Sequence, residues 1–186
     1  MNNLFQRYKM ILKIIIGIVV FIALIFVAGA TRPSDFSAAR KIEINASAEK
    51  IFPWLNNSKQ MNAWMPWIIV DPKMTLSYSG PDEGKGSVSS WNSTGQMGIG
   101  SATITESILN KTVKTTLVYT KPFEATQFAE FNMTANGLTT TVEWSVRGQK
   151  GLIMRTVCMF MNMDKMIGET FDQGLQKLKT TVETAK

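Results

Sequence analysis

The sequence predicts an α+β domain in which a curved antiparallel sheet wraps around a long C-terminal helix, preceded by a transmembrane helix at the N-terminus. Three observations lead to this prediction. A basic head runs into an uncharged apolar stretch, residues 74–148 alternate with a period of two, and residues 151–184 repeat apolar side chains every three or four positions. These patterns are typical of a membrane span, of β-strands and of an amphipathic helix.

The N-terminal apolar run is long enough to cross a bilayer. Residues 14–30 carry no charged and no strongly polar side chain. A helix rises about 1.5 Å per residue, so a hydrocarbon core of about 30 Å needs roughly 17 to 25 residues. Arg7, Lys9 and Lys13 stand on the N-terminal side. The positive-inside rule therefore predicts a single-pass protein of the cytoplasmic membrane, with its N-terminus inside and its domain on the periplasmic or extracellular side.

A cleaved signal peptide is the alternative interpretation of the same run. Ala28, Gly29 and Ala30 fit a small-residue cleavage site. The run exceeds the apolar region of roughly 7 to 15 residues that is usual in signal peptides, which favours an uncleaved anchor. With the anchor retained, the chain divides into a cytoplasmic head (1–9), a transmembrane helix (10–30), a linker (31–37) and one domain (38–186).

Composition excludes several classes of site. Histidine is absent and Cys158 is the single cysteine, so no Ser-His-Asp triad, Cys-His pair, intrachain disulfide, or metal site of histidines or thiolates can form. Three of the 20 basic residues lie in the anchor region and all 14 acidic residues follow it, which leaves the domain a net charge of only +3. We therefore expect no metal, no cofactor and no nucleic-acid partner.

The first half of the domain predicts a strand and two short helices. Residues 39–46 alternate, as in a half-buried strand. Ser47 is placed to cap a short helix that runs to about residue 57, and Ser58 is placed to cap a second that stops before Pro66.

About six antiparallel strands, rich in Thr, Val and Ile, follow between residues 74 and 148. Asn136 and Gly137 form the strongest hairpin signal in the chain. One long amphipathic helix is expected over residues 151–184. Gly174 lies near its apolar face, so the helix either presses closely on the sheet there or leaves room for something between them.

The order and spacing of these segments resemble the START-like or Bet v 1-like (SRPBCC) superfamily, and within it the bacterial polyketide cyclase/dehydrase-like branch. The resemblance covers about residues 40–182. It rests on IEINASAEKIFPWLNN, YSGPDEGKGSVSSW, GSATITES, KPF, TTTVEWSV and MFMNMDKMIGETFDQGLQKLK. It implies a helix-grip fold that encloses an apolar tunnel for lipids, polyketides or other hydrophobic molecules. The word cyclase in the family name implies no activity for this chain.

Large apolar side chains of the domain are the candidates for lining such a tunnel, because ligand pockets are mostly hydrophobic with a few polar anchors. Each of them fits plain core packing as well. The candidates are Trp54, Trp64, Trp67, Trp91, Phe123, Phe131, Phe160, Met163, Ile167 and Phe171.

Methionines crowd the start of the predicted long helix. Adaptable thioether side chains suit a flexible tunnel wall, a surface held against lipid, or a core that uses methionine as filler. The methionines concerned are Met154, Met159, Met161, Met163 and Met166.

Asp164 is the one candidate for catalysis, because it falls on the apolar stripe of the predicted helix. A carboxylate there is a polar anchor, a general base, or half of a salt bridge with a neighbour such as Arg155 or Lys165.

The sequence favours a membrane-anchored module that binds or transports one small hydrophobic ligand, lipid or polyketide-like, between the sheet and the C-terminal helix. One alternative is a cyclase or dehydratase acting on an apolar carbonyl compound. The other is a ligand-free interaction domain whose interior is filled by its own side chains. The sequence does not identify a protein partner.

Overall fold

The computed structural model describes residues 2–67, 71–95 and 97–185. The chain forms two compact units: Met1–Asp35 with Lys150–Met163, and Phe36–Gln149 with Asp164–Lys186. The elements in chain order are α1 (Asn2–Ala30), β1 (Asp35–Ile44), α2 (Ala48–Asn56), α3 (Ser58–Trp64), β2 (Thr75–Ser79), β3 (Val88–Asn92), β4 (Ile99–Ile108), β5 (Thr112–Lys121), β6 (Ala125–Asn136), β7 (Thr139–Gln149), α4 (Leu152–Val157) and α5 (Met163–Thr184).

The first unit is built on the predicted N-terminal apolar helix, which is confirmed as α1. Within the described residues one helical stretch, Gln6–Ala30, is long and apolar enough to cross a membrane, and its most apolar 18-residue window has a mean hydropathy of 3.2. A signal sequence near the N-terminus meets the same criteria of length and composition. The short helix α4 belongs to this unit and packs beside the C-terminal end of α1.

The second unit contains a seven-stranded sheet in the order β1-β7-β6-β5-β4-β3-β2, with antiparallel hairpins from β2 through β7. The predicted α+β helix-grip fold and its six-stranded meander are confirmed. The predicted hairpin is confirmed as well, because β6 ends at Asn136, β7 begins at Thr139, and Gly137 between them takes a φ of +66°. That left-handed conformation favours glycine.

Three element boundaries differ from the prediction. The single helix predicted from residue 151 is wrong, since α4 ends at Val157 and α5 begins only at Met163. Val157 and Phe160, which continue the apolar spacing across the break, are 40% and 75% exposed, so no core holds this stretch in one helix. The second short helix is capped not by Ser58 but by Asn57, whose side chain accepts hydrogen bonds from two amides of the first turn. Strand β1 begins at Asp35, inside the stretch predicted as linker.

Aromatic side chains join the helix α5 to the sheet. The ring of Trp144 on β7 stacks on Phe171 of α5, with centroids 3.7 Å apart and planes 6° from parallel. Trp64 of α3 meets Trp144 and Phe131 edge-on at 5.7 and 5.8 Å. A Cβ on Gly174 would lie 2.9 Å from the Trp144 ring, so the helix presses closely on the sheet here. All four aromatic rings are buried and form the centre of the core.

We predict that Phe171→Ala lowers the free energy of unfolding by about 3–5 kcal/mol, because it opens a cavity beside Trp144. Phe123→Ala is the matched control, since Phe123 is 65% exposed and its loss should change stability by no more than about 0.5 kcal/mol. Urea unfolding of the full chain followed by far-ultraviolet circular dichroism measures both. Equal effects of the two substitutions would contradict the assignment of Phe171 to the core.

Candidate functional site

The concave face of the sheet is the face that looks toward α5. Alternation along β5 shows which of its side chains point to the concave face. Val113 and Thr115 are buried there, whereas Val118 is exposed on the other face. Leu117 and Tyr119 continue the inward series and are half-buried. The concave face therefore has a fully buried part and a part that is only half covered.

The fully buried part is occupied by the aromatic core. Of the predicted ligand-binding residues, Trp64, Phe131 and Phe171 lie here with 3% exposure or less. Trp54 and Trp67 are half-buried against the same cluster, and the ring of Trp67 lies 6.3 Å from that of Trp144. These side chains fill the space between sheet and helix at β6 and β7.

A second aromatic pair lies apart from that cluster. Trp91 on β3 meets Tyr119 on β5 edge-on at 5.3 Å, and Trp91 is buried without belonging to the main core. Its indole lies directly over Gly100, where a Cβ would come within 2.4 Å of the ring, and its Nε1 donates to the carbonyl of Met97 at 3.1 Å. Gly100 thus lets the indole lie flat on the sheet.

Between the two aromatic groups the concave face carries small side chains. The register aligns Ser89, Ala102 and Leu117 across β3 to β5, and the buried Ile104, Thr115 and Ala129 across β4 to β6. We call Ser89, Ala102, Thr115 and Ala129 the small-residue patch. Ala129 is buried yet lies outside the main hydrophobic cluster, as Trp91 does.

Thr115 is, with Ser89, one of the two polar residues of this patch. Its residue is 5% exposed, and its hydroxyl has no hydrogen-bond partner among the described residues. The indole Nε1 of Trp144 is buried and unpartnered in the same way. A buried hydroxyl or indole N–H without a partner lowers the stability of the fold by about 1–3 kcal/mol, so such groups are uncommon unless something binds them.

Tyr119 is a further polar group on this face. Burial raises the pKa of its phenol above the usual value of 10.0. The phenol is therefore neutral at physiological pH and can donate a hydrogen bond.

The remaining predicted residues lie elsewhere. Ile167 packs half-buried against the core at the start of α5. Phe123 and Phe160 are 65% and 75% exposed, and Phe160 belongs to the first unit, so neither takes part in the core of the second. The side chain of Met163 lies outside the described residues.

Asp164 lies at the exposed start of α5. Its side chain is 63% exposed and pairs with Arg40 of β1 at 3.5 Å, and Arg40 also donates to the Asp164 carbonyl at 3.3 Å. The salt-bridge alternative is therefore observed, with Arg40 as partner. A solvated carboxylate in an ion pair is not placed to act as a base on an apolar substrate.

Comparison with known proteins agrees with this architecture. A family model described as "Polyketide cyclase / dehydrase and lipid transport" matches residues 35–183. The chain belongs to this family. The predicted resemblance to the SRPBCC, or Bet v 1-like, superfamily is confirmed. No curated protein matches the chain in sequence.

Solved structures share the fold of this family member at low sequence identity. Norcoclaurine synthase from Thalictrum flavum is 11% identical with a TM-score of 0.60, over 84% of this chain and 98% of that one. A protein from Chromobacterium violaceum is 10% identical with a TM-score of 0.59, over 80% and 98%. The Aha1 dimer from Colwellia psychrerythraea is 21% identical with a TM-score of 0.54, over 81% and 98%.

The sequence-based candidates did not include Thr115, Ala102 or Leu117. The predicted candidates are large apolar side chains, whereas the patch consists of small ones. The alternation in TVKTTLVY contains the missing signal, because Thr115 falls on the same face as Val113 and Leu117. A threonine on the apolar face of a central strand marks a buried polar group.

We predict that Thr115→Val raises the free energy of unfolding of lipid-free protein by about 1 kcal/mol, since it removes an unpartnered hydroxyl. Thr140→Val is the matched control, because the equally buried Thr140 hydroxyl donates to the carbonyl of Ala46 at 2.8 Å. That variant should lose about 1–2 kcal/mol. Thermal unfolding of both variants decides the point, and destabilisation by Thr115→Val equal to that of Thr140→Val would refute the prediction.

Proposed function

We propose that this chain is a membrane-tethered protein that binds one small hydrophobic molecule between its sheet and α5, over the small-residue patch. The unpartnered hydroxyl of Thr115 is the observation that supports this most strongly. It lies on the inward face between Ile104 of β4 and the small Ala129 of β6, and a buried hydroxyl in apolar surroundings is the arrangement expected for a ligand with one polar group.

The surrounding side chains suit an apolar guest. Trp91 and Leu117 flank the patch on the sheet, and Trp67 and Ile167 lie half-buried at the edge of the aromatic core. Burial of the ligand in such surroundings stabilises the complex by about 25 cal/mol per Å² of apolar surface. The Thr115 hydroxyl then orients the ligand by a hydrogen bond to its one polar group. A carboxylic acid, an alcohol or a lipid carbonyl can supply such a group. The family description, which includes lipid transport, is consistent with this ligand class.

Retention of α1 as an anchor is the second part of the proposal. Arg155 of α4 donates to the carbonyls of Ala30 and Arg32 at 3.2 and 3.4 Å, so a folded segment late in the chain uses the end of α1. Cleavage after Ala30 would remove one half of this contact. We therefore favour the uncleaved anchor, with the domain on the outer side of the membrane as the charge distribution indicates.

The alternative of a cyclase or dehydratase loses the side chain on which it depended, because Asp164 is solvated and paired with Arg40. The alternative of a ligand-free interaction domain draws on the filled aromatic part of the interior, but it does not explain the unpartnered Thr115 hydroxyl.

Photochemical labelling in membranes tests the proposal. The full chain is incubated in membranes with a fatty acid that carries a diazirine, irradiated, and digested for mass spectrometry. We expect adducts on the β3–β5 peptides that contain Trp91, Ala102 and Leu117. We expect Ala102→Leu to abolish these adducts, because the larger side chain fills the patch.

Thr103→Leu is the control for that substitution, since Thr103 is the next residue of β4 and faces the other side of the sheet. Adducts on α1 report that the protein and the probe share a bilayer and should be equal in all variants. Strand adducts that persist in Ala102→Leu, or that are absent from the parent protein while α1 is labelled, would disprove ligand binding at the patch.

A further inference from the structure

The connection between β7 and α5, residues 150–162, presents apolar side chains to its surroundings. Phe160 is 75% exposed, although it is among the largest apolar side chains of the chain. Hydrophobic side chains that cluster on one exposed segment mark an interaction surface more often than a solvated one. The exposed apolar residues are Leu152, Ile153, Met154, Val157, Phe160 and Met161.

This segment is attached to the C-terminal end of α1. Gly29 is in closest contact, because a Cβ there would lie 2.2 Å from the Thr156 hydroxyl oxygen and 3.0 Å from the Thr156 Cα. Small residues let helix backbones approach in this way in membranes. Among residues 6–30, whose side chains the structure describes, the positions that are not exposed are Ile25, Ala28 and Gly29, one face of the last turn and a half.

The contact between α1 and α4 also supplies hydrogen-bond partners for the last carbonyls of the membrane helix. The carbonyl of Ala28 accepts from the Thr31 hydroxyl, that of Gly29 from the amide of Arg32, and that of Ala30 from the Arg155 guanidinium. Helix-terminal carbonyls without partners are costly near lipid, and a cation is favourable at a helix C-terminus. Arg155 therefore fixes α4 to the point where α1 leaves the hydrocarbon.

The depth of the segment follows from this attachment. From Ile25 to Ala30 the helix rises about 7.5 Å at 1.5 Å per residue. A helix in the plane of the interface buries its apolar face about 5–10 Å into the headgroup and acyl boundary. The stretch 150–162 also contains Lys150 and Arg155 and no acidic residue. No carboxylate therefore has to enter the interface, and the two cationic side chains can extend toward the headgroups.

We infer that residues 150–162 form a second membrane contact, with the apolar side chains of α4 and Phe160 inserted in the leaflet where α1 ends. This inference depends on the proposed membrane anchor and not on ligand binding. The occupant of the exposed apolar surface is the lipid of the same bilayer that α1 crosses. The protein is thereby held to the membrane by a helix that spans it and a short helix that lies in its surface.

Site-specific fluorescence tests this inference in the full chain. In a Cys158→Ser background, which removes the single cysteine, Phe160→Cys carries an environment-sensitive nitrobenzoxadiazole label. The protein is reconstituted in vesicles of phosphatidylcholine and phosphatidylglycerol in equal amounts, without nitroxide lipids, with lipids that carry a nitroxide near the headgroup, or with lipids that carry it in the middle of the acyl chain. Leu138→Cys is the matched control, because Leu138 is an apolar side chain with 90% exposure in the β6–β7 hairpin.

We expect the label at residue 160 to emit at shorter wavelength and to be quenched several-fold more by the nitroxide lipids than the label at residue 138. A label at residue 22, near the middle of α1, verifies insertion of the anchor when the acyl-chain nitroxide quenches it. The inference would be overturned if quenching were weak and equal at residues 160 and 138 while it was strong at residue 22. That result would leave the ligand-binding proposal untouched. A label at residue 160 that iodide cannot reach and lipid does not quench would also overturn it, in favour of a protein cover. Absence of quenching at residue 22 would overturn the anchor and the inference together.

Substitutions at two glycines of α1 test whether the contact between α1 and α4 positions residue 160. Gly29→Leu places a side chain where Thr156 lies, whereas Gly17→Leu meets nothing within 4 Å. We expect Gly29→Leu to shift the emission of the label at residue 160 and Gly17→Leu to leave it unchanged. An unchanged emission in Gly29→Leu would contradict the inference that the contact between Gly29 and Thr156 positions the segment 150–162.

Discussion

The face-to-face contact between Trp144 of β7 and Phe171 of α5 determines how the second unit is organised. Two aromatic rings with centroids 3.7 Å apart hold the helix against the sheet, and Gly174 permits the approach because any Cβ there would meet the Trp144 ring. The interior at β6 and β7 is therefore closed by the protein's own side chains. Under this constraint the proposed ligand site is confined to the part of the concave face that the stack does not fill, over β3, β4, β5 and Ala129 of β6.

That second part differs in chemistry from the first. Each part holds one buried polar atom without a partner within the described ranges, but the aromatic core is filled by large rings, whereas the small-residue patch has small side chains beside the Thr115 hydroxyl. A sheet that only needed a tight core would gain stability from valine at position 115, because an unpaired buried hydroxyl opposes folding. Binding of a ligand with a polar group would offset that cost. It would also explain why Trp91 lies flat on Gly100 and does not join the main cluster.

Much of the architecture could be predicted from sequence because it depends on local periodicity. Alternation from residue 74 to 148, the Asn136-Gly137 turn and the apolar run before Thr31 each report a short-range property of the chain. The break between α4 and α5 was missed because the apolar spacing continues through Val157 and Phe160, which are exposed. Periodicity identifies an apolar face but not what that face contacts. For the same reason the large aromatic residues were predicted to line a site, while Trp64, Phe131 and Phe171 are core.

Occupation of the space over the small-residue patch by an apolar molecule is the central claim. Nuclear magnetic resonance of the full chain in nanodiscs measures this occupation directly. The protein carries methyl-labelled alanine and threonine, and the added fatty acid is not deuterated. We expect intermolecular contacts from the acyl chain to the methyl groups of Ala102, Thr115 and Ala129, and none to Ala48, which is buried in α2 within the main hydrophobic cluster. Contacts confined to the alanines of α1, with none at the patch, would contradict the claim.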